Sequence, residues 1–346
     1  MKKRASRLVR SGVRVALAMV VAFGLLMGAG QAPAAAATST AATTAVLTPV
    51  TVLLDWAPNT NHTGLYVAQE KGFFRDQGLD VKIVQPGEGA SAESLVAAGK
   101  VDFAVSFVEW LVNARLSGIP AVSVAAILQH NTSAFASVKS KKITRPRDFE
   151  GKKYGGEGLP MERAILAGLM KADGGDVSRL KFVSVGVSDL LTLLQRDIDV
   201  AWIYYGWEGI EAQLRGIPLN TVMLSDWDRA VPDVPSPILI TGERTVREKP
   251  DLVRRFLTAT ARGYEFTVAH PDEAADLLVK SVPEMDPKLA QASQRWLSPR
   301  YKEGAKKWGE QKSAVWQRFA DWLYENKLAN RKLDTGTAFT NEFLPE

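Results

Sequence analysis

The sequence predicts an α/β fold of two lobes, each built on a parallel-rich sheet, joined by a hinge. Three observations lead there. Short apolar runs alternate with amphipathic helical stretches from residue 50 to about 135, the same alternation restarts near residue 133, and the chain beyond residue 250 reads as almost wholly helical. At 346 residues, 46% hydrophobic and 23% charged, the chain is long enough for two cores and has a folded protein's balance.

The N-terminus reads as an export signal over residues 1–37. Six basic residues fall in the first 14 positions, an apolar stretch runs from Val13 to Gly28, and Ala-rich text suited to cleavage near Ala35–Ala37 follows. The apolar run is short for a bilayer span, which needs about 20 residues. Residues 38–48 (TSTAATTAVLT) form a polar tether with little apolar surface to offset ordering. The expected location is periplasmic or secreted, and with no cysteine there is no lipid-modified N-terminal Cys.

The elements follow in order. Strands are expected at 50–56, 79–84, 101–106 and 121–128, with helices at 64–77, 91–98 and 107–117 between them. The second run has strands at 135–139, 152–155, 181–185, 199–204 and 219–224, and helices at 160–172, 190–196 and 207–216. Pro160 suits the first turn of its helix. A Pro-rich stretch, Val231 to Pro237, leads to a return strand at 238–241, then helices at 250–269, 272–282, 287–297 and 310–327. Lobe one is expected at 49–135 plus 243–346 and lobe two at 136–242, with the hinge at the crossings Ser133–Ser137 and Ser236–Thr241.

Composition excludes several chemistries. Without cysteine there are no disulfides, thiolate metal sites or cysteine nucleophile, and three scattered histidines do not suggest a metal site. The formal charge of +5 is misleading: without the six leader cations, 37 basic residues face 38 acidic ones, which does not suggest nucleic-acid binding. No phosphate-loop, zinc-protease, nucleophile-elbow or dinucleotide fingerprint occurs, so no cofactor is expected.

Four places carry candidate ligand chemistry. The loop 55–64 follows the first strand, where parallel sheets bind ligands. Trp56 offers a flat face, and Asn59, Asn61 and His62 offer donors and acceptors. Read as structure alone, Trp56 is core and the asparagines are turn and cap residues. The run from Trp202 to Glu208 holds Tyr204, Tyr205 and Trp207 at the end of a second-lobe strand; such rings can grip a planar heterocycle while Glu208 accepts from an amine, or they can simply be core. Ser106, with Glu109 and Trp110, lies at another strand end, where Ser106 and Glu109 also fit a capping box. The Gly155–Pro160 turn carries Glu157 and is either a ligand loop or a tight turn.

Residues 53–80 (LLDWAPNTNHTGLYVAQEKGFFRDQGLD), with GKVDF at 99–103, FEGKK at 149–153 and YGWEG at 205–209, resemble the NMT1/THI5-like family of thiamine-pyrimidine-precursor binding proteins and pyrimidine synthases. The resemblance spans most of residues 50–270. It implies a type II periplasmic-binding-protein fold. It also implies an ABC-importer component that captures a thiamine-related pyrimidine, makes and breaks no bond, and works with a membrane permease, here expected as a monomer. By motif, the ligand aromatics are Trp56 and either Tyr204 or Tyr205, with polar contacts from Asn59, His62 and Glu208. The enzyme branch carries a cysteine-rich run where this chain reads Pro235 to Leu239, and no lysine occurs in the loop from Trp56 to Gly64. Other solutes of related folds, such as riboflavin, a sulfonate or nitrate, are the alternatives.

Overall fold

The structure is a computed structural model and describes residues 46–87, 89, 91–186 and 189–346. The expected export signal, and all but the last three residues of the expected tether, lie outside the described residues.

Ten strands form two five-stranded sheets. The first holds β1 (Thr48–Leu53), β2 (Leu79–Val84), β3 (Phe103–Ser106), β4 (Ala121–Ala126) and the late strand β10 (Ile238–Gly242), in spatial order β2-β1-β3-β10-β4. The second holds β5 (Ser133–Val138), β6 (Lys153–Gly155), β7 (Lys181–Val183), β8 (Val200–Tyr204) and β9 (Leu219–Met223), in order β7-β6-β8-β5-β9. β1 pairs in parallel with β2 and β3, and β6 with β7 and β8. β10 is antiparallel to β3 and β4, and β5 to β8 and β9.

Each sheet therefore has four strands running one way and one reversed, and the reversed strand is the one arriving from the other sheet. The register gives the reason. Ser133, at the start of β5, sits opposite Tyr204 at the end of β8, and Ile238, at the start of β10, sits opposite Ser106 at the end of β3. A chain that leaves the carboxyl end of one sheet and enters the carboxyl end of the other must run against its new neighbours.

Two boundary expectations are corrected by this pairing. The expected limit at 135/136 cuts through β5, all of which belongs to the second sheet, and β10, expected in the second lobe, is an interior strand of the first sheet. The crossings run side by side: the Ile127 N–H donates to Pro237 O at 3.0 Å, and Asp233 accepts from Asn131 N–H at 2.9 Å and contacts His130 Nδ1 at 2.5 Å.

Most helices fall where the apolar spacing places them, including Pro160–Ala172, Leu190–Arg196, Pro250–Ala269 and Pro287–Leu297. The helix expected at 64–77 is instead two pieces, Thr63–Glu70 and Phe73–Asp76, separated where Gly72 takes the left-handed φ of 75°. A helix at Glu243–Glu248 was not expected. One core lies between the first sheet and the tail helices, with Phe103 and Phe256 stacked inside it. A second core joins residues of both sheets, such as Ala104 and Phe135, to Trp316 and Leu323 of the helix Ser313–Glu325. Trp308, Trp316 and Trp322 are buried packing residues.

Candidate functional site

Three strand ends meet at one cavity of about 220 Å³. From the end of β1 come Asp55, Trp56, Asn59 and Asn61; from the end of β3 come Phe107 and Trp110; from the end of β8 come Tyr204, Trp207 and Glu208. Aromatic rings make most of the wall, yet Trp56, Trp110 and Tyr204 are 57%, 54% and 38% exposed. Large apolar side chains left open together at a concave site mark a place where something binds. Phe107 ties the two sides together, stacking on Tyr204 and meeting Trp110 edge to face.

The loop after β1 is held from within and from behind. Asn59 Oδ1 accepts from Asn61 N–H at 2.9 Å, and its Nδ2 donates to Ala57 O at 3.0 Å. His62 is fully buried; its Nδ1 accepts from the Asn59 N–H at 3.2 Å. A backbone N–H can only donate, so Nδ1 carries no proton, and Nε2–H donates to Asp55 Oδ1 at 2.6 Å. Behind the loop, the Tyr264 hydroxyl donates to Asn61 O at 2.8 Å, Tyr301 donates to Thr60 O, and Thr60 Oγ1 meets Ser293 Oγ at 2.6 Å. The tail helices thus form the bed of this loop.

The segment after β8 makes a wide helical turn, Tyr205–Gly209, continuing into the helix Ile210–Leu214. Such turns alter the facing of consecutive residues and recur at functional sites. Here the turn sends two adjacent tyrosines in different directions. Tyr204 faces the cavity, while Tyr205 packs on Trp296 with ring centroids 5.0 Å apart and its hydroxyl accepts from Gln213 Nε2 at 2.8 Å. Glu208 folds back so that Oε2 accepts the Tyr204 N–H at 3.0 Å. Burial pushes the Glu208 carboxyl above its ordinary range. The Tyr204 hydroxyl is raised too, first by burial and then by the carboxylates of Glu109, Asp55 and Glu208. The cavity lining carries two carboxyl side chains, Asp55 and Glu208, and no Lys or Arg.

A larger space of about 510 Å³ adjoins it, sharing Trp56, Trp207 and Glu208 and extending to Glu157, Trp202 and Asp189. On its wall Glu162 accepts from Leu159 N–H at 2.9 Å and from the Tyr154 hydroxyl at 3.2 Å, while Asp189 pairs with Arg215 at 3.1 Å. A further cavity of about 570 Å³ opens by the crossings, lined by His130, Asp233, Trp296 and Arg300 among others. Its Asp228 and Asp233 are already engaged by Arg318 and His130. The exposed rings favour the aromatic cavity instead.

Of the expected site residues, Trp56, Asn59, Tyr204, Trp207 and Glu208 come together, and Glu157 lines the adjoining space. Three do not line either space. His62 is buried behind the loop, and Tyr205 faces Trp296. Ser106 is buried and donates to Glu93 Oε1; the helix Val108–Leu116 is capped at Phe107 without a side-chain bond, so the expected capping box with Glu109 is absent. Asp55 and Phe107 are the lining residues that sequence reasoning did not single out. Each sits just beyond a strand end, which was the available signal. Among the described residues no cluster of His, Asp and Glu is arranged to hold a metal ion, and no helix is long and apolar enough to cross a membrane.

The family profile described as NMT1/THI5 like matches residues 59–274. The chain is 30% identical over 309 residues to the formylaminopyrimidine-binding protein of Halalkalibacterium halodurans, covering 88% of this chain and 93% of that one. It is 27% identical over 300 residues to the 4-amino-5-hydroxymethyl-2-methylpyrimidine phosphate synthase of Legionella pneumophila, covering 86% and 92%. The periplasmic aliphatic sulphonate binding protein SsuA of Escherichia coli shares the fold at a TM-score of 0.63 and 15% identity, over 84% of this chain and 91% of that one. The architecture is that of periplasmic binding proteins.

Proposed function

The chain belongs to the NMT1/THI5-like family, and from that premise we propose that it is the extracytoplasmic solute-binding component of an ABC importer. Its ligand is a thiamine-related pyrimidine of the formylaminopyrimidine or hydroxymethylpyrimidine type. The observation that carries this reading is the cavity of about 220 Å³ with exposed Trp56 and Trp110 beyond the strand ends of one sheet and Tyr204 and Trp207 at a strand end of the other. That volume lies below the range of about 300–1,000 Å³ that holds drug-sized ligands, as suits a single substituted ring.

Capture works by closure, with no bond made or broken. The ring docks among the aromatic faces, the two lobes swing about the crossings 127–132 and 228–237, and water leaves. Stacking at about 1–3 kcal/mol per ring, with hydrogen bonds of about 1 kcal/mol each, supplies much of the roughly 8 kcal/mol a micromolar site needs. Residues 1–37 act as a cleaved export signal, so the mature monomer meets its permease outside the cytoplasmic membrane.

A second reading is supported by the adjoining space of about 510 Å³, which has room for a larger planar solute such as riboflavin. A thermal-shift screen separates the readings, because a ligand that binds only the folded state raises the midpoint. The pyrimidines are expected to raise it, and riboflavin and alkanesulfonates to leave it unmoved. A shift with riboflavin alone overturns the pyrimidine assignment, and product formed from pyridoxal phosphate and iron, seen by mass spectrometry, makes the chain an enzyme.

A further inference from the structure

We propose that the helix Pro287–Leu297 sets the geometry of the ligand site from behind: its Ser293 ties the loop after β1 to the turn after β8 through a chain of buried hydrogen bonds. This rests on the reading of capture between the two sheets. It goes beyond that reading because Thr60, Ser293 and Gly206, the tied residues, do not line the cavity.

The direction of the chain follows from its donors. Gly206 O can only accept, so the Ser293 hydroxyl donates to it. Ser293 has one hydroxyl proton, so the Thr60 hydroxyl, 2.6 Å away, must donate to Ser293 Oγ. Thr60 and Ser293 are 1% and 0% exposed and Gly206 is buried, so water does not compete for these groups. Thr60 stands between the cavity residues Asn59 and Asn61, and Gly206 comes just before Trp207. One serine therefore holds the backbone of both ligand segments.

Packing repeats the tie. Trp207 belongs to the turn after β8, yet it packs against the core of the first sheet and the tail helices, whereas Tyr205 packs against the core of the second sheet. Trp296, almost one helical turn after Ser293, meets Tyr205 and carries the Arg300 guanidinium over its ring at 3.6 Å. A Cβ on Gly206 would stand 3.1 Å from both Leu297 and Trp296, so the missing side chain is what lets the turn lie against the helix. The helix is fixed in its own turn: Arg295 pairs with Asp272 at 2.6 Å, and Ser298 donates to Thr267 O at 3.0 Å. The tie also lies beside the first crossing, where Tyr205 N–H donates to Thr132 O at 2.9 Å. In a rotation an atom moves in proportion to its distance from the axis, so contacts here persist while remote parts of the two sheets separate. Ser293 is thus a positioning residue: it fixes the axis of the swing and how Tyr204 and Trp207 face Trp56. The ligand then meets walls already in register, and less of its binding energy is lost in ordering them.

The test measures distances between the sheets together with affinity. The chain has no cysteine, so two introduced ones carry spin labels without interference. Lys82→Cys on β2 and Lys181→Cys on β7 place labels at exposed positions on an outer strand of each sheet. In the ligand-free labelled parent, electron-resonance distances should form one narrow distribution. Ser293→Ala should broaden it and weaken calorimetric binding of 4-amino-5-hydroxymethyl-2-methylpyrimidine tenfold or more, at a temperature where circular dichroism shows the variant fully folded. Thr60→Val, which keeps the shape without the hydroxyl, should match Ser293→Ala, and the double variant should lose little more than either alone, as one shared chain requires. Thr60→Ser, which keeps the donor, should behave like the parent. A purely structural role would lower the melting temperature and leave width and affinity alone. A broad distribution in the ligand-free parent overturns the inference whatever the variants do, as do Ser293→Ala and Thr60→Val proteins that keep the parental width. Should Ser293→Ala not fold, the comparison of Thr60→Val with Thr60→Ser decides. If the parent binds no pyrimidine, the functional reading fails, while the distance widths still test the tie.

Discussion

Phe107 and Tyr204 stack across the two sheets, their ring centroids 6.3 Å apart and their planes 28° from parallel. Phe107 follows the last residue of β3 and Tyr204 is the last residue of β8, so the contact joins the carboxyl ends of both sheets at the cavity. Aromatic pairs of this kind contribute about 0.5–1.5 kcal/mol beyond burial.

The aromatic walls should dominate affinity. Trp56→Ala and Tyr204→Ala are each expected to weaken pyrimidine binding tenfold or more, about 1.4 kcal/mol or above, in calorimetric titration. Tyr205→Ala, which loses contact with Trp296 rather than with the cavity, should lower the melting temperature more than the affinity. Equal loss of affinity at both tyrosines would refute the division of roles.

The bed beneath the 55–64 loop depends on close helix packing. A Cβ on Gly263 would stand 2.0 Å from Gly64 O, and one on Gly64 would stand 2.3 Å from the Tyr264 ring. Gly263→Ala must push the helices Thr63–Glu70 and Pro250–Ala269 apart, and overpacking of this kind costs about 1–3 kcal/mol or more. We expect a melting temperature several degrees lower together with weaker ligand binding, because Tyr264 also anchors Asn61. An unchanged melting curve would show that the helices have more room than the packing indicates.

Glu109 supplies a pH signature. Burial first, then the nearby Glu93, raises its carboxyl from 4.5 to about 7. A carboxyl raised on folding favours the folded state while protonated, so its contribution is complete below its unfolded value of about 4.3 and is lost as pH rises through about 7. Glu109→Gln, which stays neutral, should therefore gain stability relative to the parent between pH 5 and pH 8. Melting curves of the two proteins that remain parallel over that interval would refute it.

Local pattern carried far into this fold because each strand and helix advertises itself over a few residues. The helix Pro160–Ala172 was legible from its Pro at the first turn and its apolar spacing, and the run Trp202 to Glu208 from its density of rings beside a strand end. The site was less legible where a side chain's partner lies far along the chain or where backbone geometry breaks period. Ser106 looks like a cap until Glu93, thirteen residues earlier, takes its hydroxyl. His62 looks like a ligand contact until Asp55 and Asn59 claim both its nitrogens.

The order of the strands, most of the helices and the two segments that carry ligand chemistry were determined by the sequence alone, because apolar periodicity and turn residues act locally; that the late strand β10 returns to the first sheet was decided by the tertiary structure. Only the tertiary structure decided that Tyr204 rather than Tyr205 faces the cavity, that Asp55 and Phe107 line it, and that His62 stands behind it. A one-residue change of phase turns a side chain to the opposite face, and which face becomes a wall depends on the other sheet's approach, set by packing between residues a hundred positions apart.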